Sequence, residues 1–273
     1  MFKKAIKKLK KAEDSRSIYN TLRSSENSQY EARRLHEEDD ELRKEAQRLQ
    51  AKIYIERNFI VKEDLDEDFR MHTKADPHQH HSTYFSVIDK NTGRVVGTSR
   101  QIEHHHAKQF SSFPMLEKSH IAEQWRKFIE SKLPFTIVEI SGLAKQSKSS
   151  SIVPLYLYRQ MWHHSIEQQH DTWLMACDVR LFHRLKIILG DAIIQIGEET
   201  DYVGASVIPA VVKPNEALEA LIDSTYKLKR AKRHIRSLIV EFFVDGLPTH
   251  YLSESELQKL HTMGIKTEEK VAS

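Results

Sequence analysis

Residues 135–144 read FTIVEISGLA, residues 145–151 read KQSKSSS, and residues 152–168 read IVPLYLYRQMWHHSIEQ. The first run is dense in β-branched and aromatic residues and apolar at consecutive positions, which predicts a strand buried on both faces. The third predicts a helix, with Pro154 in the first turn, where a missing N–H is harmless. The polar loop between them leads into a helix start. Such a start presents unpaired N–H groups and the positive end of the peptide dipoles, a setting that suits phosphate or pyrophosphate. Lys145, Lys148 and the hydroxyls of Ser149, Ser150 and Ser151 add charge and donors. A serine-capped loop of no special function has the same composition.

Glu139 interrupts the apolar strand, and a carboxylate there needs a reason, because burying an unpaired charge is costly. Strand alternation groups Ile137, Glu139, Ser141 and Leu143 on one side. A desolvated glutamate with a raised pKa can accept a proton from an ammonium group. A structural ion pair with Arg100 or Arg180 accounts for it equally well.

Outward from this unit, residues 83–89 (TYFSVID) and 94–100 (RVVGTSR) flank the turn signal Asn91-Thr92-Gly93 and predict a hairpin. Residues 119–132 predict a helix ended by Pro134. Residues 172–179 (TWLMACDV) predict another buried strand, 180–189 a helix stopped by Gly190, and 193–196 and 203–212 two more strands. Residues 31–57, without Gly or Pro, predict one long helix whose apolar end (Leu49, Ile53, Tyr54) docks on the core. Residues 216–243 predict a helix with a basic middle, and 253–263 a short one. Strand–helix alternation after a hairpin gives an α/β class with a mixed sheet flanked by helices. The expected organisation is a basic segment at 1–30, a domain at 31–245 with its core at 51–213 and its basic helix at 216–243, and a polar tail at 246–273.

Lysine and arginine number 42 against 39 acidic residues, so the net charge of +3 gives no bulk attraction for nucleic acid. The single cysteine, Cys177, excludes an internal disulfide and suits a reducing compartment, the cytoplasm. Its place in an apolar strand points to core packing; Trp162 and Trp173 read as core or acyl-pocket lining rather than as catalytic groups. No run of 18 apolar residues predicts a membrane span. Residues 1–12 (MFKKAIKKLKKA) are too lysine-rich for a secretory signal; Phe2, Ile6 and Leu9 give one apolar helical face, which suits either a soluble basic end or contact with an anionic membrane surface. Histidines cluster at 78–81, 104–106 and 163–164, but no HExxH or Cys/His spacing supports a metal site, and none is expected.

Five motifs occur in order: Tyr54-x-Glu56-Arg57-x-Phe59, Asp76-Pro77-His78, Thr92-Gly93-x-Val95-Val96-Gly97-Thr98-x-Arg100, Phe113-Pro114, and Glu139-Ile140-Ser141-x-Leu143-Ala144. The series, within a core at residues 51–213, resembles the N-acyl amino acid synthases and acyl-homoserine lactone (autoinducer) synthases, acyltransferases of the GNAT fold. The resemblance implies a GNAT mixed sheet with helical N- and C-terminal extensions. It implies an enzyme that moves an acyl chain, fatty by analogy, from an acyl carrier protein or acyl-CoA onto an amine, with no permanently bound cofactor. It gives Glu139 the part of base, directly or through water, and puts Asp76 and Arg100 beside it, Arg100 bracing Glu139 or binding an acceptor carboxylate. Arg57, Phe59, Phe113, Ser141 and Leu143 then line the substrate site. Lys145, Lys148 and Ser149–Ser151 then face the donor phosphopantetheine, and Lys227, Arg230 and Arg233 an acidic carrier protein. Gly142 stands where the family has arginine. Of the family's acidic run only Asp76 aligns, with Asp64, Asp66 and Asp68 too early, which favours an amino acid acceptor over lactone synthesis. A non-catalytic binding or scaffold module of the same fold, or a lactone synthase, are the alternatives; the absence of a glycine-rich loop in KQSKSSS argues against a short-chain acetyltransferase.

Overall fold

The computed structural model describes residues 29–103, 113–132, 136–202, 204–226 and 230–267, without the side chains of residues 37, 224, 226 and 230–236. The expectations for residues 1–12, the histidines at 104–106 and Lys227 lie outside the described residues, as do the side chains of Arg230 and Arg233. The chain forms two compact units, one of residues 29–182 with 194–214, the other including residues 183–193 and 215–267.

The first unit is built on a mixed sheet. Its strands are β1 (Tyr30–Leu35), β2 (Ser82–Asp89), β3 (Arg94–Glu103), β4 (Ile137–Lys145), β5 (Thr172–Asp178), β6 (Ile193–Gln195), β7 (Thr200–Tyr202) and β8 (Ala205–Val212). They lie in the order β1-β2-β3-β4-β5-β8-β6, with β7 on β8. The β4–β5 pairing is parallel; β1–β2, β2–β3, β3–β4, β5–β8 and β7–β8 are antiparallel. The predicted hairpin is β2–β3, with Gly93 supplying the left-handed turn residue at φ 69°.

Two predicted helices are corrected. Residues 31–57 are not one helix. Residues 31–35 belong to β1, which pairs with β2 from Tyr30↔Asp89 to Leu35↔Tyr84, and helix α1 covers only Asp40–Glu56. Sheet pairing along a free strand edge has overridden the helix propensity of YEARRL, and Leu35 gains burial with Ala46, Leu49, Tyr84 and Ile88. The segment at 119–132 is also shorter than expected. It holds only α3 (Glu123–Ser131), which follows a turn of helix α2 (Met115–Lys118), because Ile121 forms an isolated bridge with Gly197 in between.

Helix α1 covers one face of the sheet beside β2–β4. Phe113, Ile129, Ile137, Leu174, Ile196 and Val211 form a second apolar cluster. Helix α4 (Val153–Glu167) packs on the opposite face, where buried polar groups find partners: Gln101 Nε2 donates to Met161 O (3.0 Å) and Ser165 Oγ (2.8 Å), and Trp173 Nε1 to Ser165 Oγ (2.7 Å). Gly97 is where α4 approaches closest; a Cβ there would stand 2.2 Å from Val153 Cγ1. Cys177 is buried, and desolvation pushes its thiol up to about 12, which leaves it a core residue. Trp162 and Trp173 are buried as well.

Helix α5 (Val179–Leu189) leads from the first unit into the second, which holds α6 (Pro214–Tyr226), α7 (Arg230–Val244) and α8 (Glu254–Thr262). Of the helix predicted over 216–243, the described residues form α6 as far as Tyr226 and α7 from Arg230. Lys259 ties α8 to α6 through Asp223 (2.9 Å) and Glu219 (3.6 Å), and Ser253 with Glu256 forms a reciprocal cap at the start of α8.

Two outcomes follow from the α4 face. Gly97→Ala is expected to lower stability by about 1–3 kcal/mol through overpacking, read as a lower urea midpoint, with Val153→Ala restoring much of it. His170, 5% exposed and edge-to-face against His164, has its pKa pushed down to about 4, first by burial. The unfolded chain takes up that proton near the ordinary histidine value and the folded chain only near pH 4. Stability is therefore complete above the ordinary value and declines as pH falls towards 4. Urea midpoints across this window should slope less in His170→Asn than in the parent.

Candidate active site

Cross-strand register gathers the site. Tyr84 lies opposite Arg100, Arg100 opposite Ser141, and Ile102 opposite Glu139, so Tyr84, Arg100, Ser141 and Glu139 share the α1 face. Arg100 forms a two-pronged ion pair with Asp76, which reaches in from the loop between α1 and β2: Nη1 to Oδ2 at 2.6 Å and Nη2 to Oδ1 at 2.9 Å. Nη1 also lies 3.3 Å from the Tyr84 hydroxyl. Both charged residues are buried, Asp76 at 4% exposure and Arg100 at 5%. Burial works against the Arg100 charge, and Tyr84 and Asp76 outweigh it, so its pKa lies above the ordinary arginine value. Arg100 therefore directs both terminal nitrogens of its guanidinium at Asp76.

Glu139 is buried at 6% exposure on the same face. Two phenols lie within its electrostatic reach. Burial pushes the Tyr54 pKa up, with Arg100 opposing and Asp76 and Glu139 adding; burial and then Glu139 do the same to Tyr202 on β7. Near His78, burial and then Arg100 hold the imidazole below its ordinary pKa. Arg180, the other expected partner of Glu139, is exposed at the start of α5.

Beside Glu139 the sheet changes. Thr98 pairs with Ala144 and Arg100 with Ser141, so β4 carries one residue more than β3 across this stretch, a bulge. Gly142 sits in it at φ 67°, a left-handed conformation that favours glycine. The extra residue moves Ala144, not Leu143, onto the face of Ser141 and Glu139, which corrects the alternation expected for Leu143. A side chain at 142 would also meet the amide of Gln50, 3.0–3.1 Å from the Cβ position. Gln50 is 1% exposed on α1 and within hydrogen-bonding influence of Tyr54.

At the same level β4 and β5 part. Their ladder runs from Ile137↔Thr172 to Ile140↔Met175 and stops, although β4 continues to Lys145 and β5 to Asp178. The β5-facing side of residues 141–145 is thus a stretch of main chain outside the ladder, next to the bulge and to Glu139.

The remaining expected residues fall as follows. Phe59 packs edge-on to Tyr54 (5.5 Å between centroids), Arg57 is exposed at the end of α1, and Phe113 is 1% exposed within the core cluster. The loop turns its donors inward. Lys145 Nζ donates to the carbonyls of Gln146 (3.0 Å) and Ser149 (2.8 Å), Ser149 Oγ to Gln146 O (2.8 Å), and Ile152 N to Ser150 Oγ (3.3 Å). Burial lowers the Lys145 pKa. Ser151 and Lys148 are exposed. Asp64 and Asp66 accept main-chain N–H groups of their own loop, and Arg70 pairs with Asp66 and Asp68. Gln50, Tyr84 and Tyr202 are site residues that the sequence reading missed. Gln50 was within reach, since it lies one helical turn before Tyr54 on α1; nothing local marks the other two. Among the described residues no group of three or more His, Cys, Asp or Glu is placed to hold a metal, and no helix is long and apolar enough to cross a membrane.

No family model matches the chain, and no curated protein matches its sequence. Solved structures do match it. FeeM, an N-acyl amino acid synthase from uncultured soil microbes, is 18% identical with a TM-score of 0.50, over 70% of this chain and 94% of that one. TofI, solved in a ternary complex with an inhibitor and MTA, is 15% identical with a TM-score of 0.51, over 75% and 99% of the two chains. The helix-flanked mixed sheet is therefore a fold that this chain shares with FeeM and TofI, as the ordered motifs implied.

Removing one partner of the buried pair leaves the other charge uncompensated. Asp76→Asn is expected to cost about 3–5 kcal/mol, measured as the loss of unfolding free energy in urea, whereas Asp76→Leu combined with Arg100→Met should lose markedly less.

Proposed function

We propose that the chain is an N-acyltransferase that moves an acyl group, of fatty length, from a thioester donor to an amine such as that of an amino acid. The carrying observation is the parting of β4 and β5 beside the Gly142 bulge, with Glu139 buried on the adjoining face. An extended donor arm rich in amides, such as phosphopantetheine, can hydrogen-bond to strand 141–145 as a further strand would. The donor is a substrate, acyl-CoA or an acyl carrier protein, and not a resident cofactor.

In this reading Glu139 takes a proton from the acceptor ammonium, directly or through water. The freed nitrogen attacks the thioester carbonyl carbon. A main-chain N–H near Leu143 and Ala144, turned out of regular pairing by the bulge, holds the oxyanion. Collapse breaks the C–S bond, and the departing thiolate takes up the proton lost by the amine. Asp76 and Arg100 position the loop that closes the acceptor side; Arg57, Phe59 and Ser141 border that side, and Phe113 and Leu143 belong to the apolar wall. Lys148, with Ser150 and Ser151, meets the donor phosphates, while Lys145 and Ser149 keep the loop in shape. Lys227, Arg230 and Arg233 receive an acidic carrier protein, and the reaction runs in the cytoplasm, with residues 1–12 able to bring it to a membrane surface. The use of Asp64, Asp66 and Asp68 within their own loop favours a simple amine acceptor over lactone formation.

Thiol release from acyl-CoA and acyl carrier protein of graded chain length, with amino acids as acceptors and mass detection of the amide, tests the reading. Glu139→Gln should lower kcat roughly a hundredfold or more and remove the acid limb of the pH–rate profile. Full activity across the pH range in that variant would exclude Glu139 as the base. A folded protein that releases no thiol from any donor would favour a binding module.

A further inference from the structure

The outer end of the sheet carries a second polar cluster, which acyl transfer does not use. Strand β1 stops at Leu35, opposite Tyr84, while β2 begins two residues further out at Ser82. A pocket of about 330 Å³ lies there, bordered by the two strand ends, α1 and α4.

Two guanidinium groups line it, Arg34 from β1 and Arg43 from α1, and each is held by a neighbour. Arg43 stacks over the Tyr84 ring, 5.3 Å from its centroid. Arg34 Nη1 donates to His164 Nδ1 at 2.9 Å. A guanidinium has no acceptor, so Nδ1 must be the bare nitrogen of a neutral imidazole whose proton is on Nε2. That Nε2 is 3.9 Å from Glu103 Oε1. Thr83 Oγ1 donates to the same carboxylate at 2.8 Å. His164, against the opposing effect of burial, and Thr83 hold the Glu103 pKa down to about 2. Glu103 is thus an anion at any working pH, and two fixed cations against one carboxylate leave the pocket with an excess of one positive charge. Exposed His36, His80 and His81 add imidazole donors at the rim. Apart from Tyr84, whose hydroxyl also meets Arg100, none of these side chains belongs to the Arg100–Asp76 pair or to the opening between β4 and β5.

We propose that this pocket binds a small hydroxylated phosphate ester. A carboxylate offers two oxygens and satisfies one guanidinium fork, whereas a phosphate offers three and can accept from both forks at once. The volume exceeds what a bare phosphate fills and lies at the lower end of small-molecule sites. Glu103, acceptor only, fits a hydroxyl on the remainder of the ligand and disfavours a second anionic group. Because Arg34 and Arg43 are anchored before any ligand arrives, little ordering is required on binding.

Calorimetric titration of the full chain at constant ionic strength with glycerol 3-phosphate, inorganic phosphate and acetate tests this. The expected result is saturable one-to-one binding of the ester, weaker binding of phosphate and none of acetate. Arg34→Gln and Arg43→Gln should each weaken the ester roughly tenfold or more, and Glu103→Gln should narrow the preference of ester over phosphate. Circular dichroism melts establish folding of each variant; Arg43, half-buried on α1, provides the decisive variant if Arg34→Gln does not fold. Absence of saturable binding by both phosphates, equal binding of acetate, or unchanged affinity in a folded Arg43→Gln would overturn the proposal.

Discussion

The buried pair between Arg100 and Asp76 constrains everything around the site. Arg100 is on the third strand of the sheet and Asp76 is in the long connection between α1 and β2, so the pair fastens that connection across the sheet face. Two charges withdrawn from water are costly unless their geometry is good, and here two short parallel contacts and the Tyr84 hydroxyl meet that requirement. The same contacts commit Arg100. Glu139 lies on the same face, with the phenols of Tyr54 and Tyr202 in its field. One arginine and one aspartate hold shape beside a second buried carboxylate.

Gly142 and Gln50 form the other half of the design. An extra residue in β4 requires a backbone twist that glycine adopts without strain, and the Gln50 amide occupies the space a side chain would take. Where the resembling family has an arginine, this chain has a neutral amide reaching in from a helix.

Much of this was legible in the sequence. The hairpin, the strand at 137–145 and the helix after it follow from residue type and turn chemistry alone, because their apolar runs and punctuating glycine and proline are strong local signals. Glu139 was legible as an anomaly, a carboxylate in an apolar run. Three features were not. The strand YEARRL reads as helix, since only the unpaired edge of β2 makes it extended. The bulge at Gly142 reverses alternation for Leu143, and no propensity scale records an inserted residue. The serine-rich loop reads as a phosphate cradle, yet Lys145 and Ser149 spend their donors on the loop's own carbonyls; composition shows that donors exist, not where they point.

The short ladder between β4 and β5 has a mechanical meaning. On one side β1 to β4, and on the other β5 with β8, are joined by antiparallel ladders longer than the seam between them, which holds only the pairs from Ile137↔Thr172 to Ile140↔Met175. A sheet with one short seam bends there before it bends elsewhere. Rotation about the seam widens or narrows the gap at its open end by a lever effect, with Glu139 close to the pivot and the strand ends travelling furthest. On the proposed acyl-transfer reading, donors of different girth would meet a rim that moves and a carboxylate that stays close to the pivot.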